Sequence, residues 1–107
     1  MPYMPRGVAQ PAELAKHLNA LLPFPPELGV VNFRYTLEDD WSGDPAIFFW
    51  VTLSDEAARM PKLSDNADRI QDLVTQRVDF AREWDLIPYF SFRSQSEQAK
   101  LKDEKFG

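Results

Sequence analysis

The chain reads as a small α+β domain in the order α-β-β-α-β, with a three-stranded, mainly antiparallel sheet and helices packed on one face. Three observations predict it. Residues 31–38 alternate apolar and polar side chains with period two. Residues 46–53 are apolar almost throughout and follow an acidic turn containing Gly43, which makes the two runs a hairpin. Residues 64–84 then repeat apolar side chains at helical spacing, long enough to cross a sheet face and return the chain for a third strand.

Taken in order, residues 1–9 hold two prolines and a glycine and are expected to form a loose arm. Pro11 suits a first helical turn, where its missing N–H leaves nothing unpaired. Leu14, Ala15, Leu18, Leu21 and Leu22 follow on one stripe, with Glu13, Lys16, His17 and Asn19 opposite. Pro23 ends that helix, and Pro23-Phe24-Pro25-Pro26 is an extended connector with Phe24 tucked into the core. In the first strand Val31, Phe33, Tyr35 and Leu37 form the core face, while Asn32, Arg34, Thr36 and Glu38 form the other. In the second, Ile47, Phe49, Val51 and Leu53 face the core, yet Phe48 and Trp50 put large aromatics on the opposite side.

Pro61 limits the connector at residues 54–63 to a short turn, and Ser64 is the expected N-cap of the long helix, with Asp65 and Asp68 near its positive end. Ala67, Ile70, Leu73, Val74, Val78, Ala81 and Trp84 share one face of that helix over about five turns. Residues 87–93 read as a third strand, with Phe90 and Phe92 on the core face and Tyr89, Ser91 and Arg93 on the other, and Pro88 near its start points to an edge position or a strand beginning. Residues 94–107 form a charged tail, helical or disordered.

At 107 residues the chain is one domain with a single core. Its composition, 44% hydrophobic and 13% aromatic, supplies that core and argues against disorder. A net charge of −5 favours solubility and disfavours attraction to phosphate backbones or anionic lipid. No cysteine is present, which removes disulfides, thiolate metal sites and thiol nucleophiles together. No run approaches the roughly 20 apolar residues of a membrane span. A cytoplasmic, non-membrane protein without a cofactor is the expectation.

The candidate site is the sheet face away from the helices. Phe48, Trp50 and Tyr89 lie there beside Arg34 and Arg93, and Trp41 in the turn can fold back over the hairpin or protrude as an anchor. Exposed aromatics with arginine are the residue types on which binding energy concentrates. Partner-binding residues are therefore expected at Trp50, Phe48, Tyr89, Arg34, Arg93 and Trp41, and the partner is a protein or a second copy of this chain. The bland alternative is that the arm, the connector or the tail covers this face. RNA stacking on the aromatics with arginine on phosphates is the second functional alternative, opposed by the net charge. An enzyme with a site not visible in the sequence is the third.

Other clusters carry less. Glu38, Asp39, Asp40 and Asp44 lack the ligand spacing of a calcium loop and read as a solvated hairpin tip. His17 is the only histidine and has no nucleophile beside it. Asp79 and Glu83, four apart on the long helix, read as solvated carboxylates near Arg77 and Arg82. The four glycines are scattered, so no phosphate-binding loop is present.

The stretches Phe33-Arg34-Tyr35, Gly43-Asp44-Pro45-Ala46, Val51-Thr52-Leu53-Ser54-Asp55 and Pro88-Tyr89-Phe90 resemble a class of small bacterial α+β proteins without an assigned activity. That resemblance implies a binding role beside another small protein. The element order is also similar to that of the KH-type ribosome-binding factor A family, which binds ribosomal RNA. The basic stripe and KH motif of that family are absent here, so the similarity implies topology alone.

Overall fold

The computed structural model describes residues 9–106, with side chains as far as Lys100. The loose arm expected over residues 1–9 lies, apart from Ala9, outside the described residues. The order is α1 (Pro11–Asn19), a single 3-10 turn (Pro26–Leu28), β1 (Val30–Asp39), β2 (Pro45–Leu53), α2 (Lys62–Arg77), α3 (Phe80–Glu83), β3 (Ile87–Ser94) and α4 (Gln95–Phe106). The α+β class and the α-β-β-α-β order are those read from the sequence. Among the described residues no helix is long and apolar enough to cross a membrane.

The sheet runs β1-β2-β3, with β1 antiparallel and β3 parallel to β2. β2 is therefore the central strand, which explains its lack of a polar face: it has neighbours on both edges and side chains packed on both faces. Tyr35, Phe49 and Phe90 form one cross-strand row facing the helices. Arg34, Trp50 and Ser91 form the next row, facing away. Both faces carry the residues expected of them, with one exception. Val31 was expected in the core but is 49% exposed, because the register shifts between Val30 and Asn32. The extra residue turns outward and Val30 takes the inward place against the core.

Leu14 and Leu18 of α1, Ile70 and Val74 of α2, and Phe80 and Trp84 at α3 are buried against this sheet. Phe49 lies at the centre, fully buried. It stacks on Phe90 at 4.7 Å and on Phe33 at 5.4 Å, and meets Phe80 edge-on at 5.4 Å. Burying one such ring is worth about 1.5–3 kcal/mol, and aromatic pairing adds roughly 0.5–1.5 kcal/mol. Phe24 of the proline-rich connector closes one side against Phe33 at 5.1 Å, as expected.

The long helix expected through residues 64–84 is two helices. α2 ends at Arg77, Val78 is extended (φ −131°, ψ 117°), and Asp79 restarts the chain as α3 by accepting the Arg82 N–H at 3.2 Å. The restart rotates the buried face. Phe80 becomes buried, whereas Ala81, expected in the core, is exposed. The start also differs from expectation. α2 begins at Lys62, ahead of Ser64, whose hydroxyl donates to Met60 Sδ at 3.9 Å instead of capping.

The tail is helical. Ser94 Oγ accepts the Glu97 N–H at 3.0 Å and Glu97 Oε1 accepts the Ser94 N–H at 3.4 Å, a reciprocal capping box that starts α4. α1 to α3 cover one sheet face, while α4, opening from β3, reaches the other, where its Gln98 lies beside Trp50, Thr52 and Arg93.

Candidate sheet-face interface

The parity of the strands brings the expected site residues to one surface. Thr36, Phe48 and Tyr89 form one row across the three strands, and Arg34, Trp50 and Ser91 form the next. Asn32 stands opposite Thr52 and Thr52 opposite Arg93 in the row beyond. Phe48 stacks on Tyr89 at 5.1 Å, with the rings 18° from parallel. Trp41 folds back from the hairpin tip onto the same tyrosine at 5.0 Å. The Arg34 guanidinium lies 5.6 Å from the Trp50 ring centre, within cation–π range, and Trp50 Nε1 points at Thr36 Oγ1 at 3.5 Å. The result is a continuous strip of Trp41, Tyr89, Phe48 and Trp50 with Arg34 along its edge.

The strip is not uniformly open. Trp41 is 80% exposed and Arg34 is exposed, whereas Phe48, Trp50, Tyr89 and Arg93 are half-buried. Thr52 is only 9% exposed, because Arg93, Trp50 and Gln98 close over that end and leave a gap of about 10 Å³. α4 therefore covers the Arg93 end, in part as the bland alternative expected of the tail. The Trp41 end has no such cover among the described residues.

Asp40 shapes the open end. Its Oδ1 accepts the Ser42 N–H at 2.9 Å and the Asp44 N–H at 3.0 Å, while its Oδ2 accepts the Tyr89 hydroxyl at 2.8 Å. The backbone closes the same turn through Asp40 N–H to Asp44 O at 2.8 Å and Gly43 N–H to Asp40 O at 2.9 Å. Burial alone would raise the Asp40 pKa. The hydrogen bonds from Asp44, Tyr89, Ser42 and Gly43 outweigh it and hold the carboxyl below its ordinary value. The sequence pattern groups Asp40 with three solvated acids. Asp40 is instead the buried centre of the turn, while Glu38, Asp39 and Asp44 stay exposed. An aspartate ahead of Ser-Gly-Asp is a turn signature that could have singled it out. Its bond to Tyr89, far along the chain, had no local signal.

Other places have less to offer. His17 lies edge-on to Trp84 at 5.5 Å, so its ring serves packing. Asp79 is the α3 cap rather than half of a paired carboxylate site. An open cleft of about 420 Å³ lies between the 3-10 turn and the start of α2, lined by Glu27, Gly29, Glu56, Lys62 and Asn66. Its charges are taken up in exposed ion pairs, Lys62 with Glu56 at 3.2 Å and Arg69 with Glu27 at 3.6 Å, and Asn66 Nδ2 donates to the Ala57 carbonyl at 3.0 Å. Ser54 also lines the cleft, and its hydroxyl accepts the Ala57 N–H at 3.2 Å. Among the described residues no group of three or more His, Asp or Glu side chains is placed to hold a metal ion. No family model, no curated protein and no solved structure matches the chain.

Proposed function

We propose that this protein is a non-enzymatic interaction module of the cytoplasm that binds a protein partner through the sheet face running from Trp41 across Tyr89 and Phe48 to Trp50. The observation that carries this reading is the setting of Trp41. It is 80% exposed, yet it rests on a ring whose hydroxyl is bonded to the neighbouring Asp40. A large side chain already held in place loses little conformational freedom when a partner covers it, so most of its burial converts into affinity. Tryptophan, tyrosine and arginine are also the types on which interface energy concentrates.

RNA is the second reading, since Arg34 and Arg93 flank faces on which bases could stack. The exposed acids Glu38, Asp39 and Asp44 flank Trp41 along the hairpin, however, and oppose the approach of phosphate to that end of the face.

The test compares wild type with Trp41→Ala and Trp50→Ala in partner capture and light scattering. Folded variants that lose partner capture support the reading, and folded variants that capture as wild type does overturn it. Binding of a single-stranded RNA oligonucleotide that weakens steeply with salt would move the assignment to RNA.

A further inference from the structure

β1 is an outer strand: β2 occupies one edge, and no strand pairs with the other among the described residues. The side chains along this open edge are unfinished on both faces. Tyr35 and Leu37, on the core face, remain half-buried, and Arg34 and Glu38, on the other, are exposed. An open strand edge is a template for another strand, and a second copy of the chain supplies one of the same length and twist.

Two copies of β1 related by a two-fold axis perpendicular to the sheet pair antiparallel, and each face continues into the same face of the second copy. Only residues of the same parity then stand opposite each other. Centring the axis on Arg34 or on Glu38 sets that charge against its own copy. Centring it on Tyr35 or Leu37 leaves Arg34 opposite Thr36 or opposite Asp40, whose carboxylate is already engaged by Tyr89. Centring it on Thr36 sets Arg34 opposite Glu38 of the second copy, twice by symmetry. The same register sets Tyr35 against Leu37 on the core face, also twice, and covers the apolar surface that β1 leaves open. The bulge at Val31 lies outside the paired stretch.

We infer that the protein self-associates through β1 in this register, giving a six-stranded sheet with the order β3-β2-β1-β1-β2-β3. Cross-strand pairs of opposite charge and of aromatic with aliphatic side chains are the units that stabilise such a seam. The seam shares Arg34 with the face, where that side chain also lies over Trp50, but it uses the sheet edge and leaves Trp41 free, so it goes beyond the face reading.

A single strand pair is a small interface, so the mass is read over a concentration series, where a shift from monomer to dimer is expected. Arg34→Glu and Glu38→Arg each set like charges opposite one another, weakening the dimer on the order of ten- to a hundredfold, and the double variant restores it. The chain has no cysteine, so Thr36→Cys reports the register directly. Opposed Cβ atoms lie about 4.5–5.5 Å apart, near enough for oxidation to close a disulfide after a small shift. Thr36→Cys is expected to give a covalent dimer and Asn32→Cys is not. A mass that stays monomeric throughout overturns the inference. So does a dimer that Thr36→Cys fails to crosslink, or one that both charge reversals leave intact. Trp41→Ala is expected to leave the dimer unchanged, so the edge and the face fail separately.

Discussion

The Tyr89 hydroxyl donates to Asp40 Oδ2 at 2.8 Å, joining two residues 49 positions apart. This bond ties the tip of the β1–β2 hairpin to β3, the strand on the far side of β2. It also fixes the floor on which Trp41 rests. One carboxylate oxygen of Asp40 thus closes the turn on itself, and the other fastens it to the sheet.

The latch should weaken at both extremes of pH. Asp40 has a folded-state pKa below its ordinary 3.8, so its contribution is present above 3.8 and is lost as pH falls through the folded value. The bond to Asp40, together with burial and the charges of Asp40 and Asp44, pushes Tyr89 above its ordinary 10.0. Its contribution is present below 10.0 and is lost as pH rises through that higher value. Tyr89→Phe keeps the ring stack and removes the donor. The variant is expected to be less stable at neutral pH, with the Asp40 carboxyl shifted upward in an NMR titration. The stability difference from wild type should narrow below 3.8 and above 10.0. Denaturation curves showing the same difference at every pH would rule the latch out.

Gly29 and Gly43 both have positive φ, at 68° and 86°, but they should respond differently to alanine. A Cβ on Gly43 meets nothing within 4 Å, so Gly43→Ala carries only the left-handed backbone penalty of about 1–2 kcal/mol. A Cβ on Gly29 would fall 2.4 Å from Ala57 Cβ and 2.9 Å from Ser54 Oγ. The segment around Gly29 cannot retreat easily, because its carbonyl accepts the Ser54 N–H at 2.8 Å and so joins the 3-10 turn to the end of β2. Gly29→Ala is expected to cost about 3 kcal/mol or more, the range of severe steric substitutions. Equal midpoints for the two variants in chemical denaturation would contradict the close packing at Gly29.

The two sheet faces were legible in the sequence because period-two alternation is strict in β1, and because Phe90 and Phe92 share a parity in β3. Val31 was misplaced since a bulge adds a residue without any change in composition. The division of the long helix was hidden for a related reason. Val78 fits a helical stripe as well as an extended break, and Asp79 becomes a recognisable cap only once the break is known. Five of the candidate interface residues share one face as an outcome of strand parity, and Trp41 joins them from the turn by folding onto Tyr89. The Asp40–Tyr89 bond that organises their open end depends on how β3 is placed across β2, and no local pattern encodes it. Ser94 and Glu97 were legible in principle, since Ser-x-x-Glu is a capping box, but in a charged tail the motif competes with disorder.

α4 offers the last prediction. Its first turn is held by the capping box and also by Asp55, whose carboxylate accepts both the Ser96 N–H, at 2.9 Å, and the Ser96 hydroxyl. Those two bonds, opposed by burial and aided by Arg59, keep the Asp55 carboxyl below its ordinary 3.8. Asp55 lies just beyond β2, so it fastens α4 to the sheet end that Gln98 covers. In Asp55→Ala the capping box survives and the helix can still start, but its attachment is lost. Amide exchange through the first turns of α4 is expected to quicken, with Trp50 fluorescence shifting as Gln98 withdraws, while exchange in α2 stays unchanged. Wild type should show the same loosening as pH falls below 3.8 and Asp55 takes up its proton. Ser94→Ala removes the local cap instead and is expected to fray α4, at a cost of about 1 kcal/mol. If Asp55→Ala leaves α4 exchange at the wild-type rate, the helix is held by its own cap and by packing, and the Arg93 end of the face is closed independently of Asp55.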